Sequence, residues 1–408
     1  MVAVPSVLVT HPGRQHSHQA ALGLAAAGLL AGYWAGVPAV AEQRRRLPAP
    51  LRNRLSRYAA LPLPPERTRW FPATPALRRA GDALLPAAGA AWVDFAACRR
   101  FDRQVAARLP EGIDAVIACE ISALATFRAA RARGVATLLD APSFHHRTQD
   151  RVHGRTAPAA VHRRVVAVKD REIALADHVL TVSELARESY LEAGLPPERV
   201  HALALGADLE LFTPAAAADT AAPRDGFTYL FSGASIGRKG FDLLLDAFAR
   251  VAAAEPAARL RVVGPHGDAA HLLDRLPAEA REHVAVVGPV PQAALAAELR
   301  GADLLVLPSR HDSYGMAVAE ALACGLPVLV SSMVGAKDLV RSGETGWIVP
   351  VGDGAALAER MLWCARHPAA VRALRPACRR VAEGATWESY HRRLADLLLA
   401  IVPARRAA

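Results

Sequence analysis

Short apolar runs alternate with longer amphipathic ones along this chain, and the alternation occurs twice. In the first half, Val2–Thr10, Ile113–Cys119, Val135–Leu139, His178–Val182 and Val200–Ala204 read as strands. Gln19–Leu30, Ser122–Arg133, Val161–Ala176 and a segment from Ser183 to near Gly194 read as helices, Ser183 serving as N-cap with Glu184 and Glu188 in the first turns. In the second half, strands are expected at Phe227–Ser232, Arg259–Val263, Val284–Val287, Leu304–Leu307, Val328–Val330 and Trp347–Val349. Helices are expected there at Phe241–Ala254, Gln292–Arg300, Gly315–Cys324, Ala355–Arg366 and Thr386–Val402. Such a pattern dictates an α/β fold, with parallel sheet covered by helices on both faces. Residues 41–110, interrupted by Pro and Arg, predict helices and loops rather than sheet. No short solenoid period is present.

The Ala- and Pro-rich stretch Thr213–Gly226 holds few bulky apolar residues and reads as a linker between the two halves. A chain of 408 residues with 52% apolar and 22% charged composition is long enough to bury its own cores and needs no covalent staple. Its five cysteines form no C-x-x-C pair, which excludes a zinc ribbon or a disulfide framework and fits a reducing compartment. No run reaches the ~18–20 apolar residues of a membrane span, and Met1–Thr10 has no charged leader of the signal-peptide kind. The net charge of +10 is carried almost wholly by arginine, with lysine only at Lys169, Lys239 and Lys337. Arg44, Arg45, Arg46, Arg52, Arg54 and Arg57, upstream of Trp70 and Phe71, are either a solvated basic face or a contact for an anionic membrane; the charge alone is no argument for nucleic acid.

In an open parallel sheet, ligands bind beyond the carboxyl ends of the strands. Three segments of the second half fall there. Ser232–Gly240 follows a strand, its glycines permit close backbone approach, and Arg238 and Lys239 stand near a helix start, which suits phosphate. It lacks the endings of a Walker A loop and of a G-x-G-x-x-G dinucleotide site. Leu307–Ala323 passes from a strand through a polar loop into a helix; eight residues separate Asp312 from Glu320, which in a regular helix leaves both within about 80° of one face. Glu320, set among Ala and Leu, needs a partner, and sugar hydroxyls are good donors to it. Gly288-Pro-Val290-Pro291 could wall a base slot through backbone groups. In the first half, the turn His11–His18 holds Gly13, Arg14, His16 and His18.

Gly233–Pro350 resembles the donor-binding half of retaining glycosyltransferases of family 4, the group 1 glycosyl transferases with the GT-B fold. The resemblance is carried by Arg238-Lys-Gly-Phe-Asp-Leu-Leu-Leu245, Val262-Val-Gly264, Ala302-Asp-Leu-Leu-Val-Leu-Pro-Ser309, Asp312-Ser-Tyr-Gly-Met-Ala-Val-Ala-Glu320 with its continuation to Val328, and Gly343-Glu-Thr-Gly-Trp-Ile-Val-Pro350. Leu175–Ser183 and Gly206–Pro214 extend it into the first half. It implies two doubly wound Rossmann-like domains facing a central cleft: 1–212 for the acceptor, a linker at 213–226, 227–384 for the nucleotide-sugar, and 385–408 as a terminal helix crossing back to the first domain. It further implies that Glu320 binds ribose hydroxyls, that Asp312 contacts the transferred sugar, that Ser313, Tyr314, Gly315 and Met316 line sugar and phosphate with Gly233 and Val290 beside them, and that Lys239, with Arg238, neutralises the diphosphate. On the acceptor side the candidates are Gly13, Arg14 and His16, with Asp140, His145 and His146 following a strand; His18 competes with them.

Three positions depart from the family pattern: Asp312 replaces Glu, Ala234 stands where Arg is common, and Asp140 stands where many members carry His. With no D-x-D motif, the resemblance implies a metal-independent retaining transfer from a UDP- or GDP-linked sugar to a glycan or lipid-linked acceptor, with no cofactor, in the cytoplasm or at the inner membrane face. Two rivals remain open: an epimerase of the same fold, and a nucleotide-sugar-binding protein whose site has decayed.

Overall fold

The computed structural model describes residues 4–49, 52, 60–154, 157–215, 226–234, 237–265 and 269–404. Arg54 and Arg57 of the basic cluster, the linker centre at 216–225, and residues 235–236 of the glycine-containing loop lie outside the described residues. The chain forms two compact units. One comprises the described residues of Met1–Val182, Arg187–Leu203 and Glu388–Ala408; the other comprises Ser183–Ala186 and Ala204–Trp387.

The first unit holds a seven-stranded, wholly parallel sheet in the order β3-β2-β1-β4-β5-β6-β7. Its strands are β1 (Val7–His11), β2 (Leu30–Ala35), β3 (Thr68–Trp70), β4 (Ala115–Cys119), β5 (Ala136–Ala141), β6 (His178–Thr181) and β7 (Val200–Ala202). Every residue of β1 and β4 is buried, which is why these strands read as unbroken apolar runs instead of alternating. The helices used below are α1 (Ser17–Ala26), α2 (Ala73–Leu84), α3 (Ala87–Ala106), α4 (Leu124–Arg131), α5 (His146–His153), α6 (Ala159–Leu175) and α7 (Glu184–Glu192). Phe101, Phe127, Val116, Leu139 and Tyr190 meet in the core between sheet and helices.

Two strands depart from the sequence reading. Leu30, expected to end a helix, begins β2, and Thr68–Trp70 forms β3 within a stretch expected to hold no sheet. The α1 helix stops at Ala26, where Gly28 takes a φ of 74° and turns the chain. The helix starting α4 has two buried carboxylates at its N-terminus. Glu172 accepts N–H bonds from Ala123 and Leu124 at 2.8 and 3.0 Å, and Asp102 accepts those of Ala125 and Thr126 at 2.7 and 2.8 Å. These satisfy the amides that a helix start leaves open.

The second unit holds a six-stranded parallel sheet in the order β10-β9-β8-β11-β12-β13. The strands are β8 (Thr228–Ser232), β9 (Arg259–Val263), β10 (Val284–Gly288), β11 (Leu304–Leu307), β12 (Val328–Ser331) and β13 (Gly346–Val349). Its main helices are α8 (Phe241–Ala254), α9 (Gln292–Gly301), α10 (Met316–Ala323) and α11 (Gly354–Arg366); α12 (Trp387–Ile401) starts at its end and continues in the first unit. In both sheets the strand order reverses beside the first strand of the unit, between β1 and β4 and between β8 and β11, and this switch point is where ligands bind in open α/β sheets. Residues 204–212, assigned to the first half by sequence, make their contacts in the second unit: Ala207 N–H donates to Ala385 O at 2.9 Å, and Arg379 donates to Phe212 O at 3.0 Å.

All five cysteines are buried with free thiols. Burial pushes Cys98, Cys324, Cys364 and Cys378 up to about 12. Among the described residues, no helix is long and apolar enough to cross a membrane.

Candidate active site

At the switch point of the second unit, a loop after β8 meets a loop after β11. The first carries Gly233 at a φ of 143°, a turn of 3-10 helix at Gly237–Lys239, and Gly240 in the left-handed region at the start of α8. Gly240 has no alternative: a Cβ there would lie 2.1 Å from Pro308 O. This close approach brings the two loops together. Lys239 Nζ donates to Asp312 Oδ2, with both side chains largely buried. Arg238 donates to His311 O at 2.9 Å, and Arg310 grips Asp242 through two bonds of 2.6 and 2.7 Å.

The Asp312–Met316 turn is held from one side by the chain after β12. Asp312 N–H donates to Met333 O, Gly335 N–H to Asp312 O, and Ala336 N–H to Tyr314 O, at 3.0, 2.9 and 2.6 Å. The Tyr314 hydroxyl donates to Leu205 O, so this residue faces any ligand through its backbone. Ser183 Oγ donates to Ser313 O at 2.6 Å while capping Ala186 N–H at 3.0 Å, which confirms its N-cap role and adds a brace the sequence does not reveal.

Gly315 is the N-cap of α10, in the left-handed region at a φ of 88°. The helix therefore begins near Gly315, as the sequence reading has it, with Asp312 in the loop before it; Asp312 is held by that loop and Lys239, so the angle between positions eight apart in a regular helix does not describe it. Glu320 is buried on α10, and burial raises its carboxyl to about 7. Among the described residues no hydrogen bond or ion pair reaches that carboxylate, an arrangement that favours an external hydroxyl donor.

Glycine ends three neighbouring strands at this edge. Gly233 N–H donates to Val263 O and Gly264 N–H to Gly288 O, each at 2.9 Å, and a Cβ on Gly264 would sit 2.3 Å from Gly233 O. Backbone therefore forms this part of the surface. Gly264 ends the run Val262-Val-Gly264, whose sequence gives no sign of this close approach. Val290 is half-buried in the turn after β10.

The first unit gathers its own polar groups at its switch point. His16, at the N-cap of α1, turns its ring away from the helix, and Nε2 lies 3.0 Å from Asp140 Oδ1 at the end of β5. Burial opposes charge on both, but the pairing outweighs it, holding the Asp140 carboxyl below its ordinary range and raising His16. Gly13 N–H donates to His11 Nδ1 at 2.8 Å, and Gln15, with a φ of 36°, meets His11 Nε2 at 3.3 Å. Burial lowers His11 to about 4 against the pull of Asp140, which keeps that ring neutral at pH 7. Arg14 O accepts from Ser17 Oγ at 2.5 Å. A cavity lined by His16, Ser17, Asp140, Thr181 and Tyr390 adjoins this pair. Burial also lowers His18 to about 4.

His145 belongs to a separate cluster. Its ring stacks against His146 at 4.1 Å and meets Tyr190 edge-on at 5.1 Å, and burial lowers it to about 3. Nearby, Lys169 pairs with Glu120 at 2.9 Å, with both side chains buried, and Ser143 donates to Glu120 at 2.7 Å. Next to Glu120, Ile121 takes a φ of 70°, a strained geometry for a β-branched residue. The sequence reading missed this buried pair because no local motif joins residues 49 positions apart.

Residues 226–367 match the family of glycosyl transferases group 1. A D-inositol 3-phosphate glycosyltransferase of Catenulispora acidiphila is 34% identical over 61% of this chain and 61% of its own length. A phosphatidyl-myo-inositol mannosyltransferase of Mycobacterium tuberculosis is 36% identical over 45% of this chain and 49% of its own. The chain thus spans about half to three fifths of these relatives. Among solved structures, a sucrose-phosphate synthase from Thermosynechococcus elongatus superposes with a TM-score of 0.74 at 21% identity, covering 97% of this chain and 99% of that one. Anabaena HepE in complex with UDP-glucose does so with a TM-score of 0.67 at 15% identity, covering 97% and 100%. The chain has the GT-B fold of two Rossmann-like units, and its residues 226–367 are similar to the glycosyl transferases group 1 family.

Proposed function

We propose that the protein is a retaining, metal-independent glycosyltransferase that moves a sugar from a nucleoside diphosphate to a glycan or lipid-linked acceptor. The observation that carries this reading is Glu320: a buried carboxylate without a partner, on the helix whose first amides adjoin the Lys239–Asp312 pair. Ribose hydroxyls supply the donors that Glu320 lacks. Lys239, Arg238 and the amides opening α10 meet the diphosphate, the last through the positive end of the helix. Asp312 contacts the sugar and, before the donor arrives, holds Lys239 in place. The glycines at 233 and 264 let the diphosphate approach backbone closely.

The bond from the anomeric carbon to the diphosphate breaks, the bond to the acceptor oxygen forms on the same face, and the acceptor proton leaves with the diphosphate. Fixed cations and amides carry the developing negative charge, so no acidic metal cage is needed. UDP or GDP is the carrier; the UDP-glucose complex of the HepE neighbour supports the former. On the acceptor side we assign Gly13, Arg14, His16 and Asp140. The inositol-phosphate and phosphatidylinositol names of the relatives favour a polyol-containing acceptor.

A peripheral contact with anionic membrane is part of this proposal. Leu77, Leu84, Leu85 and Trp92 are exposed on α2, α3 and the turn between them, with Arg78 and Arg79 beside them. Sedimentation with vesicles containing anionic lipid checks it.

The deciding assay offers UDP- and GDP-sugars with and without polyol and glycolipid acceptors, and measures nucleoside diphosphate release. Acceptor-dependent release supports transfer. Isomerised sugar without release, or tight donor binding without turnover on any acceptor, overturns it.

A further inference from the structure

We propose that His145, His146 and Asp170 form a zinc site in the first unit. His145 and His146 lie where the chain leaves β5 and enters α5, and Asp170 lies on α6. Each offers a ligand atom, and the three atoms lie within 4.8 Å of one another. Both histidines are at most 4% exposed, while the Asp170 side chain is half-exposed, so the group is walled by protein on one side and reachable by an ion from the other.

The second observation is His146. Its Nε2 lies 3.0 Å from Asp170 Oδ1, yet neither of its ring nitrogens makes a hydrogen bond. The carboxylate stands beside the ring nitrogen without lying along its donor direction. Buried polar groups are as a rule paired, and an imidazole next to an oxygen that it does not bond is placed as two ligands of one ion are. Zinc bonds of about 2.0–2.1 Å to nitrogen and oxygen put adjacent tetrahedral ligands about 3.3 Å apart, close to this separation. His145, whose ring lies 4.1 Å from that of His146 and is tilted by 32° to it, supplies the third ligand atom, within 4.8 Å of the other two.

The chemistry of the donors selects the ion. Two imidazoles and one carboxylate suit zinc over magnesium or calcium, which prefer all-oxygen shells. The surrounding charge permits a dication: Lys169 is already paired with Glu120 at 2.9 Å, and Arg147 is exposed to solvent. Three protein ligands leave the fourth position to water. The ion would tie α5 to α6 beside the existing His162–Asp150 contact of 2.9 Å, and would fix the segment that follows Asp140. It plays no part in the leaving-group chemistry assigned to the second unit.

The test uses the full chain, stripped with a chelator and then titrated with zinc against a chromophoric competitor, and separately with cobalt(II) as a spectroscopic probe. The wild type is expected to bind one zinc with a Kd below about 1 μM and to give the intense visible cobalt bands of a four-coordinate site. Asp170→Asn, at a half-exposed position that leaves the fold intact, weakens zinc at least about tenfold, and His146→Gln abolishes the cobalt bands. His162→Gln leaves both unchanged. Wild-type binding and spectra in Asp170→Asn, or no zinc bound by the wild type at 10 times that concentration, about 10 μM, overturn the proposal whether or not the protein transfers sugar.

Discussion

His16 Nε2 and Asp140 Oδ1 stand 3.0 Å apart across 124 residues of sequence, joining the first loop of the chain to the end of β5. Both groups are nearly sealed from solvent, with side-chain exposures of 10 and 9%. Breaking one half of such a pair strands the other.

The first prediction concerns that pair. His16→Ala leaves Asp140 buried and ionised, and costs the first unit about 3–5 kcal/mol; the double variant with Asp140→Asn recovers part of it. The pH dependence follows from the two shifts. The raised His16 contributes stability that is fully present below the ordinary histidine value near 6.5 and is lost as pH rises through its higher folded value. The lowered Asp140 contributes stability present above 3.8 and lost as pH falls through its lower folded value. The gap between wild type and His16→Ala in denaturant unfolding is therefore widest between those limits. A gap that stays constant up to pH 9 contradicts the ion pair.

Glu320 predicts a conflict between binding and stability. Its carboxyl is raised from 4.5 to about 7 by burial alone, so the folded state resists ionisation and loses stability as pH rises through that interval. The shift corresponds to a cost of order 3 kcal/mol above pH 7. Glu320→Gln is expected to raise the melting temperature of the ligand-free protein at pH 8, to leave it unchanged at pH 4, and to weaken nucleotide-sugar binding by about 1–3 kcal/mol. Calorimetry of both properties on one preparation checks it; unchanged affinity removes Glu320 from the donor site.

Lys239 is expected to act on the transition state more than on binding. If it meets charge that develops on the departing diphosphate, Lys239→Ala lowers kcat by about 10²–10³ with a smaller change in donor KM. Steady-state kinetics with saturating acceptor measures the split. A rise in KM at unchanged kcat would assign Lys239 to ground-state binding alone.

Two glycines at positive φ, 132° at Gly264 and 77° at Gly343, set a crowded site against an open one. Gly264→Ala forces a Cβ to within 2.3 Å of Gly233 O, while Gly343→Ala at a φ of 77° meets nothing within 4 Å. The second substitution costs about 1 kcal/mol through its left-handed backbone, and the first costs more, because the strand ends at β8 and β9 must part. Equal losses in unfolding experiments would show that the strand ends yield freely.

The second unit was legible from sequence almost element by element, because β8, β11 and β12 are buried parallel strands that concentrate Val, Leu and Phe between glycine-marked turns. The first unit was less so. Leu30-Ala-Gly-Tyr-Trp-Ala35 mixes small residues with aromatics and has no repeating period, and Thr68–Trp70 is a three-residue edge strand whose half-buried side chains leave no apolar run. All four residues of the Lys239–Asp312 and His16–Asp140 pairs were candidates, but nothing local couples loops 73 and 124 residues apart, so neither contact itself was legible. The helix start near Gly315 was legible, with Asp312 left in the loop; the regular-helix angle between Asp312 and Glu320 therefore does not apply, because Gly315 caps the helix in the left-handed region.

The sheltered thiols have a practical consequence. With all five cysteine thiols inside the protein and hardly ionised at neutral pH, maleimide dyes find no natural target. Single cysteines placed at Leu84, 78% exposed in one unit, and at Val351, 41% exposed in the other, give a pair of unique labelling points on an otherwise unmodified background. Energy transfer between the two dyes then reads the separation of the units directly, with and without a nucleotide-sugar, free of any cysteine-stripping mutations.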